Sequence, residues 1–168
     1  MKPNEIKTFF NYNFWAFERV WDCILQLTDE QFVQNIDYST GSIQEHVVHL
    51  ASAIHRRIQQ MQGKDIPPHL SNKDFPTRSS FKSKWDEVRN EAYEYLSTIS
   101  ETDLDGKVQG TSHETGATIE ITRWEILMHV VNHATDHRAQ ILAMLHQHFG
   151  VKTVGQDMMA FLAERDQN

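Results

Sequence analysis

A single cysteine, Cys23, leaves no partner for an internal disulfide, and it excludes both an extracellular disulfide framework and a multi-cysteine zinc site. A reducing cytoplasm is the expected compartment. The chain also lacks a long apolar run. Met1-Lys2-Pro3-Asn4 opens no uninterrupted hydrophobic stretch, and no later segment approaches the ~20 residues needed to span a bilayer. Neither export nor membrane insertion is expected. Basic charge is scarce too: 16 Lys and Arg stand against 23 Asp and Glu, for a formal net charge of -7. The basic residues are spread along the chain, so no stripe exists to bind a phosphate backbone by counterion release, and nucleic acid is not an expected partner.

What the chain does have is histidine, ten in 168 residues, with no terminal tag to account for them. A chain of this length fits one domain, 1–168, and buries enough surface to hold a core unaided. A bound metal would therefore serve function rather than folding.

Four long segments carry helical periodicity. Phe10, Phe14, Phe17, Trp21 and Ile24 recur at spacings of four and three, as do Phe81, Trp85, Val88, Ala92, Tyr95 and Ile99. Ile43, Val47, Leu50, Ile54 and Met61 outline a further helix, which Ser42 and Glu45 open as a capping box. The last long helix runs from about Arg123 to His148, opened by Thr122 with Glu125 and closed by Gly150. Gly63, Pro67, Pro68 and Pro76 mark residues 62–78 as a long crossover loop. Lys107-Val108-Gln109 and Ala117 to Ile121 flank a turn-rich stretch with Gly110 and Gly116, which predicts a small irregular hairpin. Thr28 to Ile36 predicts a short helix, and Gly155 to Glu164 a final one with Met158, Met159, Phe161 and Leu162 packing back. The fold expected is all-α: a four-helix up-and-down-type bundle with a long crossover loop, a small hairpin before the last long helix, and a C-terminal helix.

Chemistry concentrates in the last long helix, where His129, His133 and His137 sit at successive four-residue steps. Side chains four apart share a helix face, with Cβ atoms roughly 5–6 Å apart, close enough for two imidazoles to converge on one ion. The seam Ile126, Val130, His133, His137, Gln140, Met144 turns His133 and His137 inward and leaves His129 to one side. Spacing alone does not separate ligands from hydrogen-bonded interior histidines, because such pairs also occur without metal. A third ligand would separate them. His46 and His49 on the second long helix are the candidates, neither lies on the apolar stripe, and periodicity does not choose between them.

Three stretches resemble a known family. Tyr12-Asn13-Phe14-Trp15-Ala16, Ile43 to Ala51 and above all Val130-Val131-Asn132-His133-Ala134-Thr135-Asp136-His137-Arg138-Ala139-Gln140-Ile141 look like the first-helix, second-helix and signature motifs of the DinB-like proteins. That superfamily also includes YfiT-type bacillithiol S-transferases and mycothiol-dependent maleylpyruvate isomerases. The resemblance implies a divalent metal, zinc or nickel, on His49, His133 and His137. It also implies that His46 and His129 are neighbours, and that Arg138 and Gln140 support the motif. Ala139 stands where the family has glycine, a small-for-small departure.

Three neutral imidazoles leave an ion its full charge and an open position, the arrangement of a site that activates water or a thiol. The expectation is a metal-dependent thiol S-transferase acting on a small electrophilic substrate, with a low-molecular-weight thiol as co-substrate. The alternatives are a metal-dependent hydrolase, or a non-catalytic metal-binding stress-response protein. A cavity reaching from the metal to solvent would favour the transferase. Relatives often pair, and Trp15, Trp21, Trp85 and Trp124 leave room for an apolar face, so a homodimer is expected. The remaining candidates have plain readings: Asp136 on the surface or in an ion pair, Arg138 in a structural ion pair, Cys23 buried and inert, and His146 and His148 complementing the helix dipole.

Overall fold

The computed structural model describes residues 1–111 and 115–167, and within them seven α-helices and one two-stranded sheet. In chain order these are α1 (Pro3–Ile24), α2 (Asp29–Val33), α3 (Ile43–Met61), α4 (Arg78–Thr98), α5 (Glu101–Asp105), β1 (Lys107–Thr111), β2 (Thr118–Thr122), α6 (Arg123–Phe149) and α7 (Met158–Arg165). A 3-10 turn at Asn72–Asp74 interrupts the crossover between α3 and α4. No helix among the described residues is long and apolar enough to cross a membrane.

The helix ends follow the chemistry of their caps. Ser42 accepts from the Glu45 amide at 3.1 Å, and the Glu45 carboxylate takes the Ser42 amide at 2.7 Å, so α3 starts on a reciprocal capping box. At the start of α6 the Glu125 carboxylate accepts the Thr122 amide at 2.9 Å. At its end Gly150 adopts a φ of 64°, its amide donating to His146 and that of Val151 to Leu145, which satisfies carbonyls the helix leaves open. The five-residue α5 is too short to show a periodic seam, although Ser100 and Asp103 cap it in the same way.

The four long helices bury one continuous core, α1 packing on α6 and α4, and α3 on α4 and α6. Between α1 and α4 the contact is aromatic: Phe17 stacks on Trp85 with ring centroids 3.6 Å apart, and Trp21 meets Phe81 at 5.5 Å. Phe10, Phe14, Phe17, Trp21 and Ile24 are all buried, as the seam predicts. On α4, Leu96 is buried whereas Tyr95 is only partly so.

Three expectations need correcting. Met159 is 71 % exposed; only Phe161 is buried on α7, with Met158 and Leu162 packed at its margin. Trp21 and Trp85 belong to the core, and Trp15 donates its indole N–H to Glu164, so the tryptophans do not form a shared outer face. Gly110 lies within β1 opposite Ile119 rather than in the turn, and the strands run to Thr111 and from Thr118. Residues 112–114 at the tip of the expected hairpin lie outside the described residues.

Gly41 decides how the chain enters α3. Its φ is 112°, and a Cβ there would sit 2.2 Å from Glu45 Oε2, the carboxylate of the capping box. Gly41→Ala combines a disfavoured backbone with loss of that cap, and is expected to lower stability by about 1–3 kcal/mol. Chemical denaturation of the two proteins, with equal m-values, checks this; an unchanged midpoint would show that the loop relaxes around the methyl.

Candidate metal centre

Along α3, His46 and His49 are three residues apart; along α6, His133 and His137 are four apart. These spacings keep each pair on one helix face, and packing α3 against α6 brings the two faces together. His49 Nε2 lies 2.9 Å from His133 Nε2, and His46 Nδ1 lies 2.9 Å from His137 Nδ1. One ring nitrogen from each of His49, His133 and His137 falls within 4.8 Å of the others. His46 is fully buried and His137 nearly so, at 6 % exposure, while His49 and His133 are half-buried.

This geometry fits a divalent ion. Two nitrogens each about 2.1 Å from one ion, at an angle of about 90–110°, lie roughly 3.0–3.4 Å apart. The observed 2.9 Å between His49 and His133 is close to the lower end of that interval. Neutrality is also favoured. Burial, then repulsion from His137, His49 and His129, pushes His133 down to about 4. Burial, then His49 and His46, does the same for His137, also to about 4. His49 is lowered by burial and by His69. All three shifts run in the direction that favours the neutral imidazole.

His46 completes the arrangement without joining it. With Nδ1 of His137 against His46, the nitrogen left to His137 for an ion is Nε2. A neutral imidazole ligating through Nε2 carries its hydrogen on Nδ1, so with an ion on Nε2 His137 would donate to His46 Nδ1. The hydrogen of His46 would then sit on Nε2, which is buried with no partner among the described residues. His46 thus orients His137. Periodicity offered His46 as a candidate beside His49 but could not assign its place, since its burial depends on α6 and not on the stripe of α3. His129, outside the cluster as expected, stacks on His133 with ring centroids 5.6 Å apart.

A cavity of about 550 Å³ opens onto His49 and His133, walled by α3, the crossover loop, α6 and the β1–β2 sheet. Gln60 Nε2 donates to the Gln109 carbonyl at 2.8 Å, which ties the sheet to α3 as one wall. Arg56, Arg57 and His69 also line it, residues that no motif in the sequence marks. A signal was present: Arg56 and Arg57 follow His49 by seven and eight residues, with no acidic residue three or four positions from either.

The other candidates divide. Asp136 is exposed and accepts from Gln140 at 3.1 Å, a surface role as expected. Cys23 is buried and its thiol pKa is raised by that burial, consistent with an inert side chain. Arg138 departs from the ion pair expected of it. It is fully buried, and its recorded partners are all neutral: Asn13 Oδ1, Gln156 Oε1 at 2.8 Å and Thr135 Oγ1 at 2.9 Å. The Tyr12 ring stands 5.6 Å from its guanidinium carbon. Burial pulls its pKa down to about 10, which still leaves it charged at neutral pH.

Two outcomes are expected from this geometry. Asn13→Ala removes an acceptor from a buried cation and should cost about 1.5–3 kcal/mol, with metal content unchanged, as measured by denaturation beside elemental analysis. For the cluster, the ordinary imidazole pKa of 6.5 applies in the unfolded chain and about 4 in the folded one. The unfolded state takes up protons first, so this stability is complete above pH 6.5 and is lost as pH falls toward 4. Chelator-treated protein should show a Tm that drops across that window, and His133→Gln a shallower drop. A Tm independent of pH there would contradict the neutral cluster.

The DinB family model matches residues 1–167. Protein DinB of Bacillus subtilis (strain 168) is 24% identical over 142 residues, spanning 82% of this chain and 83% of that protein. Among solved structures, a DinB-like protein from Bacillus cereus ATCC 10987 aligns with a TM-score of 0.66 at 20% identity, covering 88% of this chain and 94% of the other. A conserved protein from Enterococcus faecalis aligns with a TM-score of 0.70 at 14% identity, covering 89% and 99%. At these identities the structural likeness speaks to the fold. The family match extends over nearly the whole length and takes in the helices that carry Asn13, His49, His133, His137 and Arg138: the chain belongs to the DinB family.

Proposed function

We propose that His49, His133 and His137 hold one divalent ion, zinc or nickel, and that the protein is a metal-dependent S-transferase joining a low-molecular-weight thiol to a small electrophilic substrate. The observation that carries this reading is the cavity of about 550 Å³ that opens onto His49 and His133. Its volume is that of a small-molecule site, where a sealed cluster would have pointed to a purely structural ion. A divalent ion there supplies Lewis acidity, enough to make a bound thiol nucleophilic at neutral pH. The chain's own contribution is to hold three neutral donors in place, His137 being oriented by His46.

Hydrolysis has less support. A water-activating site works best with a general base, and among the described residues lining the cavity no Asp or Glu is present, which leaves that role to His69 or His129. The packing of α1, α3, α4 and α6 supports reading the scaffold as a four-helix up-and-down-type bundle and residues 1–168 as one domain. A cytoplasmic location and a homodimer belong to the same reading.

The test is metal content by elemental mass spectrometry on untagged protein, for the natural sequence, His49→Ala, His133→Ala and a His129→Ala control. The natural chain and the control are expected to carry about one ion per chain, and the other two none. Thiol conjugation to an electrophilic fluorophore should then be lost in the same two variants. Four equally empty proteins after incubation with zinc and nickel would remove the site and the transferase with it.

A further inference from the structure

The walls of the cavity are charged with a sign opposite to that of the whole molecule. The chain carries a formal charge of -7, yet among the described residues this space is bordered by Arg56, Arg57, His69 and His129 and by no Asp or Glu. Four other arginines are matched, Arg19 with Glu164, Arg78 with Asp29, Arg89 with Glu18 and Asp86, and Arg165 with Asp166, while Arg123 donates to the Asp103 carbonyl. Neither Arg56 nor Arg57 has a carboxylate within 4 Å among the described residues. Their recorded bonds go to neutral oxygens, Arg56 Nη1 to the Pro67 carbonyl and Arg57 Nη1 to Gln60 Oε1 at 2.7 Å. A guanidinium has five N–H donors, so each keeps several for a ligand.

Two adjacent, partly buried guanidiniums without a counter-ion repel each other. Burial and the neighbouring Arg56 both lower the Arg57 pKa, the direction expected of such a pair. An arrangement of this kind is relieved by an anion, and the planar fork of arginine matches the two oxygens of a carboxylate or the edge of a phosphate. The position is informative as well. His49, Ala53, Arg56, Arg57 and Gln60 all face the cavity from α3, where the backbone positions of Arg56 and Arg57 lie about 10–12 Å along the helix from that of His49, at 1.5 Å per residue. Between them the lining includes the apolar side chains of Ala53, Ile66 and Val130.

Resting on the reading of this cavity as the substrate site, we propose that Arg56 and Arg57 form an anion subsite. It takes the carboxylate or phosphate of a small organic acid whose reactive end lies at His49 and His133. The hydrocarbon part of the ligand occupies the middle of the cavity. His69, held by Ser52 at 3.3 Å, stands beside the subsite as a neutral donor or acceptor.

The subsite can be tested apart from the metal. Guanidinium N–H resonances of Arg56 and Arg57 are followed by NMR in the chelator-treated natural chain, titrated with glutarate, inorganic phosphate and the uncharged diamide of glutarate. Both resonances should shift saturably with at least one anion and not with the diamide. The tighter anion identifies the acid group. In Arg56→Gln/Arg57→Gln, the affinity read from the Gln60 side-chain amide should fall at least tenfold, while Lys152→Gln leaves it unchanged. The same titration on His133→Ala should retain anion binding, so a failure of the metal reading and a failure of the subsite give different results. Equal response to the diamide, no response to either anion, or undiminished affinity in a double variant of native helicity would overturn the proposal.

Discussion

Four imidazoles meeting between α3 and α6 impose the constraint around which the rest of the molecule is arranged. Two nitrogen pairs at 2.9 Å are tolerable only if each shares a proton or a cation, and a charge on any ring would repel its neighbours in a partly desolvated space. The two helices must therefore hold a fixed register, since sliding one past the other by a residue would unpair all four rings. Caps at both ends of the helices serve that register. Ser42 and Glu45 fix where α3 begins, and Gly150 fixes where α6 ends.

Arg138 supplies the second fixed point, one residue beyond His137. A cation with no recorded carboxylate partner is costly inside a core, and here the cost is offset by neutral oxygens drawn from three places: Asn13 on α1, Thr135 on α6 itself, and Gln156 before α7. Tyr12 closes the node, its hydroxyl donating to the Gln156 carbonyl at 2.8 Å. The first-helix motif and the signature, distant in sequence, are thus two halves of one hydrogen-bonded structure. It holds the backbone of α6 next to His133 and His137 without touching either ring.

On the other side of the cluster the fold leaves space instead of filling it. The crossover loop and the small sheet stand off α3 and α6 far enough to leave the cavity, and Gln60 fastens the sheet in place. Lined by arginine and histidine, with His49 and His133 exposed to it, this space joins a candidate electrophilic centre to a surface that attracts anions. Its charge is local, and the acidic composition of the whole chain conceals it.

Helix positions and ends were legible in the sequence because they depend on neighbours within a turn: the four-three seams of α1 and α4, the capping boxes at Ser42 and Thr122, the terminal Gly150. So was the pairing of His133 with His137, fixed by a four-residue step. What the sequence could not decide was everything requiring two elements at once. His46 and His49 are equivalent by periodicity, and only the approach of α6 assigns one to orient and the other to face the cavity. Arg138 looked like an ion-pair residue because its partners lie 125 and 18 positions away on neutral side chains. Arg56 and Arg57 looked like ordinary surface charge until the loop and sheet closed a wall around them. Local chemistry determined the helices and their spacing of donors; the packing of helix on helix, which no short stretch encodes, decided what those donors face.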